Sequence, residues 1–476
     1  MYVSFCTSGL RGLVTALTKD VVSGYIRAFV AVCPIGSGLY LGRDLRASSP
    51  HIADMVIAAA RGAGINVIDC GAVSTPALAL AAMNAGAAAV MVTGSHIPDD
   101  RNGLKFYLPT GEIAKADEAA ISQGLVSEPQ VAAAPHIGAM VQAPDVMAQY
   151  VTRYANCFGP QALQGLKLGI YQHSSVARDG LLHMVQGMGA QAVALGRARA
   201  FIPVDTESVD AGTRAQLAAW AADMGLDAIL STDGDGDRPL LTDADGTVIA
   251  GDVLGILTAR SLGAQHICTP ISSNSMIEEM TEFSHTTRSK IGSPFVIAAM
   301  LAAQARQADV KVVGFEANGG FLLGFDAAGP QGRLPALMTR DAFLPLIAPL
   351  AAARAKGKSL RQMIAHLPAR VTAADRISPV SKEAAAMLLD ELTRSETARS
   401  AMLAQLRLPT PTSLDVTDGL RLTFAGGRVV HLRPSGNAPE FRIYTEADSN
   451  AAAQALLQAA MSAVGAALTV AGGKAA

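Results

Sequence analysis

A serine beside a histidine, on the loop Thr93-Gly94-Ser95-His96-Ile97-Pro98, is the first feature of this chain that could do chemistry. The loop follows the apolar run Ala88 to Val92 and continues through Asp99, Asp100, Arg101, Asn102 and Gly103 to Lys105. A serine hydroxyl is a weak nucleophile at neutral pH and needs a neighbouring base, charge or metal to react. His96 and Lys105 could handle protons or phosphate charge. A second polar loop, Asp233-Gly234-Asp235-Gly236-Asp237-Arg238, follows another apolar run, Ala228 to Leu230. Carboxylates at i, i+2 and i+4 on a glycine-relaxed loop can turn toward one point. Two unit charges about 4 Å apart repel by ~1 kcal/mol in water and by ~4 kcal/mol at an effective dielectric of 20. Three such groups need a cation or must take up protons. All-oxygen ligands favour a hard ion, and a small protein ligand set completed by water or phosphate favours Mg²⁺. The calcium-hand spacing fails, because its sixth position would be Arg238 and its twelfth Ala244. Taken alone each is ambiguous, since a lone serine can also cap a turn and three aspartates can also form a solvated acidic turn. Together they point to phosphoryl transfer assisted by a divalent cation.

Four weaker elements extend the pattern. Arg433-Pro434-Ser435-Gly436-Asn437-Ala438-Pro439-Glu440, with Arg442 beyond it, offers an arginine fork with hydroxyl, backbone and amide donors. That set suits a phosphate, and the same residues also favour a plain hairpin turn. Thr7-Ser8-Gly9-Leu10-Arg11-Gly12 presents Arg11 on a turn. Glu316-Ala317-Asn318-Gly319-Gly320 offers a carboxylate and an amide suited to paired sugar hydroxyls. Ser289-Lys290-Ile291-Gly292-Ser293 offers Lys290 to a phosphate. Competing signatures are absent: there is no Gly-x-Ser-x-Gly elbow, no Walker loop and no His-Glu-x-x-His. Gly187-Met188-Gly189 with Ala192 superficially matches a dinucleotide fingerprint. It follows a helical pattern and precedes a strand, which is the wrong order.

The elements that must position these groups are legible in outline. A chain of 476 residues exceeds one hydrophobic core, and at roughly 100–200 residues per domain three or four domains are expected. Half the residues are apolar, many of them alanine, and the net charge is −2 with no basic block, which excludes nucleic acid as a partner. Five scattered cysteines (Cys6, Cys33, Cys70, Cys157, Cys268) form no Cys-x-x-Cys pair and fit a reducing cytoplasm. No signal peptide is seen at the start, and the apolar window Pro76 to Val92, broken by Asn84 and Gly86, is not a membrane span. Apolar runs alternate with helical patterns through about residue 340. Leu39–Gly42, Ile65–Asp69, Val90–Val92, Leu168–Tyr171, Ala192–Leu195, Ala228–Leu230 and Val310–Phe315 read as strands, and Met55–Gly62, Glu112–Leu125, Gly180–Met188, Thr213–Met224 and Pro294–Gln304 as helices. This alternation predicts parallel sheets with crossover helices. The last hundred residues read as a helix near Glu383–Leu406, three strands and a helix from Ala451, an α+β pattern. Expected domains are 1–145, 146–251, 252–368 and 369–476. Each polar loop follows a strand end, where α/β sheets gather ligands, so three loops could converge on one cleft with the last domain over it.

The serine loop, the aspartate loop and the Arg-Pro-Ser-Gly-Asn segment, in this order, resemble the α-D-phosphohexomutase family of phosphomannomutases, phosphoglucomutases and phosphoglucosamine mutases. The resemblance runs from Thr7 to about Tyr444. It implies four domains around a deep cleft, three related α/β domains with mixed or parallel sheets and a smaller C-terminal α+β domain. It also implies a reversible isomerase in which Ser95, carried as phosphoserine, phosphorylates a hexose 1- or 6-phosphate. The bound hexose 1,6-bisphosphate then turns over and returns the other phosphoryl group. By this resemblance Asp233, Asp235, Asp237 and the phosphoserine bind Mg²⁺, and Arg238 contacts the transferring group or sugar. Glu316 and Asn318 read the sugar, Arg433, Ser435, Gly436 and Asn437 grip the non-reacting phosphate, and Arg11, Lys105 and Lys290 line the cleft with positive charge. Lys105 and His96 are further expected to serve in catalysis. Partners would be small phosphosugars, with no membrane, in a cytoplasmic monomer or homodimer. Four positions depart from the family pattern: Ile97 stands for a usual Asn, Asn318 for Ser, Gly320 for His and Ser293 for His or Asp. The Ser-Gly-Asn-Ala-Pro-Glu string looks most like bacterial phosphomannomutases, which makes mannose the expected sugar over glucose or glucosamine. A metal-dependent phosphatase and a non-catalytic sugar-phosphate binder are the competing readings.

Overall fold

The computed structural model describes residues 3–6, 9–126, 136–435 and 440–475. Four principal sheets define four domains. In the first, Leu39–Arg43 lies parallel to both Val67–Ala72 and Ala88–Val92, and Met140–Gln142 continues the parallel set. Arg101–Leu108 then runs antiparallel between Ala88–Val92 and Leu10–Leu13. The second sheet places Lys167–His173 parallel to Gln191–Arg197 and to Ala228–Thr232, with Pro239–Leu241 antiparallel at its edge. The third places His266–Pro270 parallel to His285–Ser289 and Val312–Phe315, followed by antiparallel Phe321–Leu323 and Leu337–Asp341. The fourth is wholly antiparallel, in the order Val371–Ile377, Phe441–Ala447, Val429–Pro434, Leu420–Thr423, Ser413–Asp415.

The first three sheets share one plan. A buried parallel strand (Ala88–Val92, Ala228–Thr232 or Val312–Phe315) ends in a polar loop, and the chain returns antiparallel beside it. The expected parallel sheets are therefore mixed. The reason lies in loop length: a parallel return needs a crossover of a dozen or more residues, and segments 93–100, 233–238 and 316–320 are too short for one. Every residue of Ala88–Val92 and Ala228–Thr232 is buried, as a strand covered on both faces requires.

The helices form where the local chemistry permits. The window Pro76 to Val92 divides into the helix Thr75–Asn84, with Pro76 in its first turn, a turn at Gly86 (φ 60°), and the strand Ala88–Val92. Asp210 caps Ala211–Met224 by accepting from Thr213 N, and Gly225 ends it in the left-handed region. The pattern at Glu383–Leu406 is two helices, Lys382–Arg394 and Glu396–Gln405. Ser395 ends the first and caps the second, its hydroxyl accepting from Ala398 N. The C-terminal helix Asn450–Ala475 includes a stretch, Asn450–Thr469, long and apolar enough to cross a membrane by length and composition. Here Ala453, Leu457, Ala460 and Val464 pack into the fourth domain's core.

One continuous core runs through the first three domains, from Leu78 and Met91 through Tyr150, Leu168 and Leu230 to Phe315 and Phe343. Its polar pin is Asp341, which is buried and accepts hydrogen bonds from the hydroxyls of Tyr150 and Tyr154 as well as from Phe343 N. Replacing Tyr154 by Phe is expected to lower stability by about 1–3 kcal/mol, read as a shift in the denaturant midpoint, because a buried carboxylate oxygen then loses its donor. The fourth domain has a separate core. Polar contacts join it to the third: Ser275 N and Oγ donate to Glu446 Oε2 at 3.1 and 2.5 Å, and Asn274 Nδ2 donates to Arg370 O at 3.0 Å.

Candidate active site

The serine loop and the aspartate loop meet. Ser95 Oγ donates to Asp233 Oδ2 at 2.6 Å, and both residues are buried. The approach is close enough that a Cβ on Gly234 would lie 2.9 Å from Ser95 O. Lys105 Nζ lies 2.5 Å from one carboxylate oxygen each of Asp235 and Asp237. Thr75, at the start of the first-domain helix, donates its hydroxyl to Asp235 Oδ2 at 2.6 Å, and its N–H bonds Asp235 O at 2.9 Å. Arg11 is near enough for the Asp235 charge to act on its guanidinium, whose pKa burial lowers.

Ser95 itself has φ 53°, a left-handed conformation that non-glycine residues seldom adopt. A buried network holds it there. Arg46 donates through Nη2 to Ser95 O (2.9 Å) and Ile97 O (2.5 Å), and through Nη1 to Pro98 O (2.8 Å) and Arg101 O (3.0 Å). Its Nε bonds Asp44 Oδ2 at 3.2 Å, and the guanidinium stacks 3.9 Å from the Phe201 ring centroid. Asp44 also accepts from Thr93 Oγ1, which in turn accepts from Ser95 N at 2.7 Å. Gly94 is required beneath this strap, since a Cβ there would sit 2.5 Å from Arg46 Cζ. Replacing Arg46 by Ala would leave Asp44 as an uncompensated buried charge and remove the guanidinium donor from four carbonyls. The expected loss is about 3–5 kcal/mol of stability, measured by urea denaturation.

The electrostatics of the site follow from burial. Desolvation, compounded by Asp235 and Asp237, pushes the Asp233 carboxyl well above the ordinary range. Burial would raise Asp235 too, but the ammonium of Lys105 and its hydrogen bond outweigh it and hold that carboxyl low. Burial and Arg238 push the His96 imidazole down to about 3. Its Nδ1 lies 2.8 Å from Arg238 Nη1 and 3.4 Å from Ser95 Oγ. Arginine can only donate, so Nδ1 accepts and the proton resides on Nε2. The group bonded to the serine hydroxyl is thus Asp233, while the His96 lone pair is engaged by Arg238.

The three aspartates each offer a carboxylate oxygen within 4.8 Å of the others, and all three are buried. Asp235 Oδ1 and Asp237 Oδ1 have no hydrogen-bond partner. Buried carboxylate oxygens without donors are costly, and an oxygen-only donor set matches a hard divalent cation. The residues present therefore fit such an ion.

Arg340, buried on the strand Leu337–Asp341, connects this cluster to the third loop. Its Nη2 lies 3.1 Å from Asp237 Oδ2 and its Nη1 3.6 Å from Glu316 Oε1. Asn318 turns its Oδ1 back to Gly320 N, and its carbonyl accepts from Thr206 Oγ1 at 2.8 Å. Ser293, one of the four departures, donates to Glu112 Oε2 at 2.6 Å and joins the third domain to the first. Arg433 and the Lys290 turn form a second group. Asp418 accepts from Arg433 Nε and from Ile291 N, both at 2.9 Å. Lys290 is exposed, and no direct bond among the described residues joins this group to the aspartates. Ser435 is buried, with its N–H bonded to Glu440 O at 2.8 Å, whereas Gly436 and Asn437 lie outside the described residues. Arg442, on the strand Phe441–Ala447, is within electrostatic reach of His96, Asp205 and Glu207. The sequence reading missed Asp44, Arg46, Thr75 and Arg340 as site residues.

Family models match three of the four domains. Phosphoglucomutase/phosphomannomutase alpha/beta/alpha domain I matches residues 3–131, alpha/beta/alpha domain III matches 250–371, and the C-terminal domain matches 372–463. A phosphomannomutase of Sinorhizobium fredii is 46% identical over 463 residues, covering 95% of this chain and 97% of that protein. A phosphomannomutase of Salmonella muenchen is 41% identical over 452 residues, covering 94% and 92%. A phosphoglucomutase/phosphomannomutase family protein from Burkholderia thailandensis has the same fold, with a TM-score of 0.75 over 98% of each chain at 22% identity. With its three mixed α/β sheets, its fourth antiparallel sheet and its serine set against three buried aspartates, the chain belongs to the phosphoglucomutase/phosphomannomutase family of hexose phosphate mutases.

Proposed function

We propose that the enzyme interconverts mannose 6-phosphate and mannose 1-phosphate through a phosphorylated Ser95 and a bound mannose 1,6-bisphosphate. The single observation that carries this reading is the 2.6 Å bond between Ser95 Oγ and Asp233 Oδ2. It places the nucleophilic oxygen at the edge of a buried three-carboxylate cluster. The names of the two relatives at 46% and 41% identity support mannose over glucose and glucosamine.

Asp233, Asp235 and Asp237 would hold Mg²⁺ together with the phosphorylated serine. The bound ion supplies neutralisation of charge on the transferring phosphoryl group. The remaining work belongs to side chains. The Arg46 strap fixes the Ser95 loop, so the serine oxygen is placed before substrate arrives. Arg238 and Arg11 supply positive charge to phosphoryl oxygens, and Lys105, held by Asp235 and Asp237, is positioned to manage the proton of the reacting hydroxyl. His96, kept neutral, orients Arg238. Glu316 and Asn318 read sugar hydroxyls, while Arg433, Ser435, Gly436 and Asn437, with Lys290, hold the phosphate that is not reacting. Arg340 ties the metal loop to the sugar loop. The working domains are 1–145, 146–251, 252–368 and 369–476, in a cytoplasmic monomer or homodimer that takes only small phosphosugars.

The test is a coupled assay with mannose, glucose, glucosamine and N-acetylglucosamine monophosphates, primed with catalytic hexose 1,6-bisphosphate. Mannose phosphate is expected to turn over with the highest kcat/KM. A higher value for another sugar would displace mannose, and no isomer formed from any sugar would displace the mutase reading.

A further inference from the structure

The segment Asp205-Thr206-Glu207 belongs to none of the loops singled out by the sequence, yet it lies close to the serine, aspartate and sugar loops. Thr206 is buried, and its hydroxyl donates 2.8 Å to the carbonyl of Asn318, so a second-domain residue clamps the third-domain sugar loop. Glu207 follows directly. Its N–H donates to Asp205 Oδ1 at 3.1 Å, which turns the segment. The Glu207 carboxylate is within electrostatic reach of Arg442 from the fourth domain, Arg238 from the aspartate loop and Glu316 from the sugar loop. Asp205 faces His96, Arg238 and Arg442. Among the described residues no hydrogen bond ends on the Glu207 carboxylate, although burial and Asp205 push its pKa up to about 7. A half-buried carboxyl with unused hydrogen-bonding capacity, placed between the aspartate loop, the sugar loop and Arg442 of the fourth domain, is suited to a ligand's hydroxyl groups.

We propose that Asp205-Thr206-Glu207 forms a second wall of the sugar site, with Thr206 as the positioning residue for Glu316–Gly320 and Glu207 as the hydroxyl-binding group that sets selectivity among hexose phosphates. This rests on the mutase reading above. Its physical basis is that hexoses differing at one hydroxyl are told apart by the groups that bond that hydroxyl, and an unpaired polar group penalises the wrong epimer. Gly320 carries no side chain, so Glu316 and Asn318 are the polar side chains of the Glu316–Gly320 wall, and the facing wall adds to the discrimination.

The experiment uses the full-length enzyme and the variants Glu207→Ala, Glu207→Gln, Thr206→Val and Thr206→Ser. kcat and KM are measured separately for mannose and glucose 6-phosphates, with thermal melting as the folding control. Glu207→Ala is expected to raise KM for the preferred sugar about tenfold and to narrow the mannose-to-glucose ratio of kcat/KM by about fivefold or more. Thr206→Val should raise KM similarly, while Thr206→Ser, which keeps the hydroxyl, stays near wild type. If Glu207→Ala fails to fold, the isosteric Glu207→Gln decides by the same sugar ratio. Folded Glu207 variants with KM and sugar ratio within about twofold of wild type would overturn the inference while leaving the mutase reading intact. Equal behaviour of Thr206→Val and Thr206→Ser would overturn the positioning role. A wild-type enzyme that isomerises neither sugar overturns both.

Discussion

Replacing Ser95 by alanine is expected to reduce isomerisation by at least about 10⁴-fold, with no phosphoryl adduct in the intact mass after incubation with hexose 1,6-bisphosphate. The size of the effect follows from the position of the residue. Ser95 Oγ is 2.6 Å from Asp233 and buried beneath a strap of four Arg46 hydrogen bonds. Among the described residues, the other hydroxyl bonded to a carboxylate of the cluster is that of Thr75, which is bonded to Asp235 and buried. The fold itself should survive, because alanine retains the backbone carbonyl that Arg46 binds. Melting temperature is therefore expected to change little while turnover collapses, and full activity in the alanine variant would eliminate the phosphoserine route. The same preparation separates the competing readings. Steady release of inorganic phosphate without isomer would indicate a phosphatase, and ligand-induced stabilisation of wild type without turnover would indicate a binder.

Removing divalent cations carries the second-largest expected effect. Chelation followed by buffer exchange should lower activity at least about a hundredfold, and added Mg²⁺ should restore it. A readout independent of turnover is available. A cation that binds the folded state at 100 times its Kd stabilises it by about 2.7 kcal/mol, so melting temperature should rise with Mg²⁺. Asp237→Asn should abolish that rise while the protein remains folded, since Asp237 Oδ1 is one of the two oxygens of the aspartate cluster that lack a hydrogen bond. A melting curve indifferent to Mg²⁺, in an enzyme still active after chelation, would assign the aspartates a purely structural role with Lys105 and Arg340 as their counter-charges.

The parts of this site that were legible in the sequence are those whose chemistry is contiguous. Ser95 and the three aspartates each announce themselves within six residues, because the glycines and the preceding apolar strand are part of the signal. Arg46 carries no such mark. Its partners are carbonyl oxygens some 50 residues away, and carbonyls look the same at every position of a sequence. Arg340 was hidden for a related reason. It is a single charge on a strand, and its partners Asp237 and Glu316 come from other loops. Thr75 stands just before the alanine-rich window Pro76 to Val92 with nothing to mark it, and its bond to Asp235 depends on how two domains dock. Among the parallel strands, the longer ones of the first two domains and Val312–Phe315 were legible as apolar runs, whereas short Met140–Gln142 and the polar-bearing His266–Pro270 and His285–Ser289 were not. The short antiparallel returns Pro239–Leu241 and Phe321–Leu323 were implied only by loops too short for a crossover. His96 was legible beside Ser95 as a group for protons or phosphate charge, but not its pairing with Arg238, which engages its lone pair from another loop.

The shared plan of the first three domains has an evolutionary corollary. Because each working loop is a turn between two strands of an already packed sheet, its tip can be rewritten without renegotiating the scaffold. A gene built by triplication of one such unit would begin with three equivalent fingertips meeting in the middle. Each could then drift to a separate trade: one toward carrying a phosphoryl group, one toward holding an ion, one toward recognising a sugar. Division of labour in this enzyme would then be a matter of a few residues at three turns, and new hexose preferences would be reached by editing turns rather than by inventing folds.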